Sequence, residues 1–274
     1  MTYFSIEIIT RGERTLEEAL KSIEKQSNDS FEIVCANSSS DPFTCKILDN
    51  YSVKHLEVGS VKHLRGRELA HSLSSGKVSL IMDSTRILDP GMLDALKVYI
   101  EEFDMVAIKE GSIGEGFWVN QARLYKNFSE RNVDSNLIKN KVPSYVLPRL
   151  FKRDILNKTF ISLRQNIPKK LFDSIGYGEH HLIVQEALSF SKSLYYYKET
   201  DLIKHYEDAT LDSIYRKYKN YGKDQKILNA VPKYTASHLT SHFRKLNKYQ
   251  IVDSIRTLPI IFIRSWSFSI GLLL

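Results

Sequence analysis

Asp83 closes the apolar run 79–82 and is followed by Ser84, Thr85 and Arg86. A carboxylate at a strand end can hold a metal-bound diphosphate, because ligands of open α/β sheets collect beyond the carboxyl ends of parallel strands. The ordinary alternative is a helix cap or turn. A second apolar run, 31–36, ends in Asn37-Ser38-Ser39-Ser40-Asp41-Pro42, a polar cluster suited to contacting a nucleotide base or ribose. Arg67 carries a guanidinium fork that can grip phosphate or carboxylate at two points. Its other reading is a solvated helix residue paired with Glu68 or Glu57.

The elements that must position these groups follow from hydrophobic spacing. Residues 3–9 are β-branched and aromatic and predict a buried strand. Residues 10–13 form a turn, and 15–26 predict a helix with Leu16, Ala19, Leu20 and Ile23 on one face. Strands follow over 31–36 and 54–58, with helices near 44–48 and 66–73. Pro90-Gly91 opens a further helix over 92–103. Strands alternating with helices of this length imply βαβ units and a mostly parallel sheet, so the fold class is α/β.

The helix 15–26, the strand at Phe31-Glu32-Ile33-Val34, Arg67-Glu68-Leu69-Ala70 and Ser75-Gly76-Lys77 before the Asp83 strand come in an order that resembles the nucleotide-binding half of family 2 glycosyltransferases. The likeness is densest over 3–110 and returns near Gly178-Glu179 and His205. It implies a GT-A fold: a Rossmann-like, mostly parallel mixed sheet flanked by helices, with a C-terminal helical appendage. The expected division is a catalytic domain over 1–210, with a nucleotide-sugar half at 1–110 and an acceptor half at 111–210, then a basic amphipathic region at 211–274. The implied activity is transfer of a sugar, with inversion, from a nucleoside diphosphate sugar to a lipid-linked or glycan acceptor.

The resemblance assigns Thr10, Asn37, Ser38, Arg67, Asp83 and Ser84 to the donor. It places Mn²⁺ or Mg²⁺ on Asp83, with His205 as the further ligand; one carboxylate with one nitrogen favours Mn²⁺. The chain departs from the family where Asp-x-Asp is expected, since Asp83-Ser84-Thr85 supplies one carboxylate and a neutral hydroxyl. Metal should therefore bind more weakly, and Arg86 could contact phosphate directly. Tyr177-Gly178-Glu179-His180 resembles the family's Gly-Glu-Asp signature, with His180 at the position of the catalytic base. Imidazole can serve, Glu179 is the alternative, and an already ionised lipid phosphate would need no base. Without the resemblance, Glu179 reads as a helix-start acid and the histidines as exposed. A noncatalytic nucleotide-sugar- or membrane-binding protein on the same fold is the alternative from a different class.

The 274 residues are 42% hydrophobic, enough for one substantial core, and no linker or repeat divides them. A nucleotidyltransferase is disfavoured, because no Gly-rich basic triphosphate loop lies near the N-terminus. Cys35 and Cys45 lack metal-ligand spacing and read as reduced thiols. The chain opens on a core strand with no signal peptide, so a cytoplasmic location is expected. From residue 198 onward there are 13 Lys plus Arg against 7 Asp plus Glu, which is +6 of the chain's +7. Ile251, Ile255 and Leu258 form an apolar face ahead of a run containing Arg264 and Trp266. That run is shorter than the about 20 residues a span needs. It reads instead as an anchor on the inner membrane surface or as a packed helix. Nucleic-acid binding is not expected, because no recognition motif accompanies the aromatic-basic segment 215–226.

Overall fold

The computed structural model describes residues 2–28, 30–130, 133, 135–137, 147–234 and 250–274. Its strands are β1 (Phe4–Thr10), β2 (Phe31–Asn37), β3 (Lys54–Glu57), β4 (Val78–Asp83), β5 (Arg86–Leu88), β6 (Met105–Ile108), β7 (Glu110–Ile113), β8 (Asn136–Leu137), β9 (Pro148–Lys152), β10 (Leu194–Tyr197) and β11 (Ile203–Tyr206). Its helices are α1 (Leu16–Glu24), α2 (Pro42–Asn50), α3 (His63–Leu73), α4 (Met92–Glu102), α5 (Phe117–Glu130), α6 (Arg153–Asn166), α7 (Lys169–Phe172), α8 (Glu179–Ala187), α9 (Leu211–Asn229) and α10 (Gln250–Leu273).

Eight strands form one sheet in the order β3-β2-β1-β4-β9-β6-β10-β8. The ladders joining β1 to β2 and β4, β2 to β3, and β6 to β10 are parallel. Strand β9 is antiparallel to both of its neighbours, β4 and β6. Alternate residues of β4 face opposite layers, as the two-residue period of a strand requires. Leu80 and Met82 join a core with Leu16, Leu20 and Ile23 of α1 and Leu96 of α4, whereas Ile81 joins Phe151, Phe160 of α6 and Ile183 of α8. A strand buried on both faces reads as a continuous apolar run, which is why Leu80-Ile81-Met82 shows no alternation.

The polar segment after Asp83 does more than turn. Residues 86–88 form β5, which joins β11 and β7 in a second, three-stranded sheet. This pairing sets His205 opposite both Arg86 and Ser112. Helix α3 begins at His63, earlier than the expected 66, and its buried face is Leu64, Gly66, Arg67, Ala70 and His71. A Cβ at Gly66 would stand 3.3 Å from Ile9 Cγ2, so glycine lets the helix lie close to β1.

At the C-terminus α10 crosses α9 and also packs on α5. A Cβ on Gly222 would overlap the Phe268 carbonyl, and one on Gly271 would overlap the Lys219 carbonyl. Arg264, the cation inside the apolar run, lies over the Tyr125 and Tyr218 rings, 4.6 and 4.9 Å from their centroids. The outer side of α10 presents Leu258, Phe262 and Trp266, which are 54%, 66% and 50% exposed and spaced four residues apart. The side chains of residues 250–255, including Ile251 and Ile255, lie outside the described residues. Among the described residues no helix is long and apolar enough to cross a membrane.

Candidate active site

Asp83 sits at the carboxyl end of β4, and two guanidinium groups converge on it. Arg67, on the buried face of α3, bonds to Oδ1 and also donates through Nη1 to the Met82 carbonyl at 2.5 Å. Arg86, at the start of β5, bonds to Oδ2 and reaches Glu110 with Nε at 3.2 Å. The solvated-helix reading of Arg67 is therefore wrong: the side chain is buried, and Glu68 pairs with Arg65 and Arg164 instead. Burial lowers both arginines to about 10, which still leaves them cationic at neutral pH.

Glu110 extends this network. Its carboxylate also accepts from Arg149 Nε at 2.7 Å, and Arg149 Nη1 donates to His180 Nδ1 at 2.9 Å. His180 Nε2 donates to the Pro148 carbonyl at 2.8 Å. Both ring nitrogens of His180 are thus engaged, and burial with Arg149 alongside pushes its pKa well below the usual value. The lone pair a general base needs is already occupied, so the expectation that His180 takes the acceptor proton is corrected. His205 faces the same network across β11 and β5; burial and then Arg86 lower its pKa to about 4. Its Nδ1 lies 3.5 Å from Glu207, which also pairs with Lys126.

Glu179 opens α8 and lies 3.5 Å from Arg67 Nη2 and 4.0 Å from His63 Nδ1. Burial raises its pKa, and Arg67 partly opposes the rise. The loop leading into α8 is held from α9: Asp224 Oδ2 accepts from the backbone of Gly176 at 2.9 Å, of Gly178 at 3.1 Å, and of Tyr177. Asp83, Glu179 and the face of β11 bearing His205 thus surround one charged region, linked by Arg67 and Arg86.

The tips of β1 and β2 form the adjoining wall. Glu13 accepts from Thr10 Oγ1 at 2.7 Å, Ser84 Oγ at 2.6 Å and the Arg11 backbone at 2.9 Å. These bonds hold the Glu13 carboxyl below its usual range against the opposing effect of burial. Ser38 N donates to the Thr10 carbonyl at 2.8 Å. Asn37 is fully buried, and its amide is turned inward, accepting from Ser39 N at 2.9 Å and donating to Cys45 Sγ at 3.3 Å. It braces the loop, as Asn does in turns, rather than offering its amide to a base.

A divalent cation does not fit the Asp83 tip as it stands. Both carboxylate oxygens already carry a guanidinium, Thr85 adds no charge, and a dication would face two fixed positive groups. Among the described residues the one set of three close His, Cys, Asp or Glu donors is Cys45, His55 and Glu57, on α2 and β3. Asp83 and His205, the expected metal pair, do not belong to that set. Residues that sequence reasoning missed are Glu13, His63, Glu110, Arg149, Glu207 and Asp224. Arg149 carried one usable signal, a lone cation within the apolar run 147–151. The others depend on pairing partners far along the chain.

The family described as "Glycosyl transferase family 2" matches residues 5–160. No curated protein matches the chain significantly in sequence. Among solved structures, S. aureus TarS 1–349 in complex with UDP-GlcNAc is similar with a TM-score of 0.61 at 18% identity, covering 96% of this chain and 81% of that one. The same protein in complex with UDP gives 0.58 at 17%, covering 98% and 89%. Mannosyltransferase PcManGT from Pyrobaculum calidifontis, in complex with GDP-Man and Mn²⁺, gives 0.56 at 12%, covering 98% and 72%. The fold is accordingly GT-A, with the antiparallel β9 inserted between parallel strands. With more than half of its length matched, this chain belongs to the family 2 glycosyltransferases.

Proposed function

We propose that the enzyme moves a sugar from a nucleoside diphosphate sugar to an acceptor presented at a membrane surface, lipid-linked or glycan, with inversion at the anomeric carbon. The observation that carries this reading is the meeting of Asp83, Arg67 and Glu179 at the carboxyl end of the sheet, where such ligands collect. The resolved neighbours with bound UDP-GlcNAc and GDP-Man support the donor class.

In the proposed step the acceptor oxygen bonds to the anomeric carbon as the bond from that carbon to the diphosphate oxygen breaks. The nucleoside diphosphate leaves with the electron pair. Glu179 takes the acceptor proton, because burial raises its affinity for one while Arg67 keeps an anionic form accessible. Arg67 and Arg86 supply positive charge where the leaving group becomes more negative. Thr10, Ser38 and Ser84 line the donor side. His180 holds Arg149 in place, and His205 packs behind Arg86.

The outward row of Leu258, Phe262 and Trp266 supports contact with the headgroup region of a membrane, and the basic C-terminal third suits anionic lipid. The direct test is nucleotide release from UDP- and GDP-sugars, offered with lipid-phosphate and oligosaccharide acceptors. Asp83→Ala should reduce release by more than about 100-fold, the scale of a lost transition-state electrostatic contact, while the circular dichroism spectrum is unchanged. Equal release by Asp83→Ala and the parent would overturn the assignment.

A further inference from the structure

We propose that the donor diphosphate is held at the β4 tip without a divalent cation, with Arg86 acting as a built-in, tethered counter-ion beside Arg67. The inference rests on reading this site as one for a nucleoside diphosphate sugar.

A cation between an enzyme carboxylate and a diphosphate has two tasks: it is anchored by the protein and it neutralises phosphate charge. Arg86 is anchored twice, through Nη1 to Asp83 and through Nε to Glu110. Neither bond uses Nη2. A guanidinium has five N–H donors in a plane and pairs with phosphate at two points, so one group can bridge a carboxylate and a phosphate oxygen. Its short backbone distance to Asp83, three residues, fixes it at the strand tip without a diffusible ion.

Arg67 gives a second, independent sign. Its side chain is 2% exposed, yet its Nε has no hydrogen-bond partner. A buried unpaired donor is costly, and such groups in native proteins call for an explanation. Its Nη atoms serve Met82, Asp83 and Glu179, so its place at the centre of the site is fixed by three acceptors. In Asp83-Ser84-Thr85-Arg86 the tip carries one carboxylate, and the neutral hydroxyl of Thr85 is followed directly by the cation of Arg86. A single anion beside two cations lowers the site's affinity for a metal and raises it for phosphate.

The test is calorimetric binding of UDP, GDP, CDP and dTDP to the full chain, once in EDTA and once in Mn²⁺. At least one nucleotide should bind with a Kd that agrees within about two-fold between the two conditions. Arg86→Gln should weaken that binding by about ten-fold or more, and Arg86→Lys should restore only part of it, since an ammonium cannot bridge two anions in one plane. Thermal melts establish that each variant is folded. A complementary variant, Thr85→Asp with Arg86→Gln, should convert the site to one whose nucleotide binding requires Mn²⁺. Binding by the parent only with Mn²⁺, or undiminished binding by Arg86→Gln, overturns this inference and leaves the donor reading intact. Absence of binding by all four nucleotides in both conditions overturns the two together.

Discussion

Glu179 lies between two opposing influences, burial that favours its neutral acid and Arg67 that favours its anion. Because burial is the larger, the acid limb of the pH–rate profile should rise at a pH above the ordinary glutamate range of about 4.3. Activity should fall as pH drops through that raised value, because the base must be deprotonated. Glu179→Gln should lower the transfer rate by about 100-fold or more with a hydroxyl acceptor, at nearly unchanged donor affinity. An unchanged rate with a lipid-phosphate acceptor would instead identify an acceptor that arrives already ionised. Glu110 provides a stability test at the same scale, since its carboxylate is shared by Arg86 and Arg149. Breaking a buried ion pair on one side typically costs about 3–5 kcal/mol. Urea denaturation of Glu110→Gln should show a loss of that order, and a change below about 1 kcal/mol would mean that water already screens the pair.

At the scale of elements, α9 controls the entry to α8. Asp224→Asn keeps the size of the side chain but weakens three backbone hydrogen bonds to 176–178, so Glu179 should lose its fixed position. Activity should fall several-fold or more while nucleotide affinity is retained, and hydrogen exchange at residues 176–178 should quicken. The strands and helices of residues 3–103 were largely legible, because each is a local pattern: an apolar run for β1, β2 and β4, a one-sided stripe for α1. Motif order singled out Asp83, Arg67 and Glu179, which the structure brings together, and their roles belong to the proposal above. What could not be read was register. Nothing local in 86–88 says that it pairs with β11, yet that pairing sets Arg86 against His205. The inward turn of Asn37 and the engagement of both His180 nitrogens likewise depend on Cys45, Arg149 and Pro148, partners that the two-residue and 3.6-residue periods do not specify.

At the scale of the molecule, two half-buried histidines tie folding to pH. His63 and His205 are lowered from 6.5 to about 4, mainly by burial, with Arg11 near the first and Arg86 near the second. Between those values the unfolded chain binds more protons than the folded one, so this contribution is complete above about 6.5 and declines as pH falls toward 4. Urea midpoints should drop from pH 7.5 to pH 5, and a flat response would contradict the burial of these rings. Membrane contact can be tested on the full chain: Leu258→Ser with Phe262→Ser, which spares the Trp266 ring packed on Tyr215, should reduce flotation with anionic vesicles several-fold and leave the melting temperature nearly unchanged. Finally, the reversed strand β9 joins the two halves more tightly than their order in the chain suggests. It is contributed by residues 148–152 yet lies between β4 and β6. A fragment ending near residue 110 would carry both of those strands with the space between them vacant, leaving two apolar edges with open ladders. Such a piece should self-associate rather than fold as a working module, so cutting the polypeptide there should not release a separable unit.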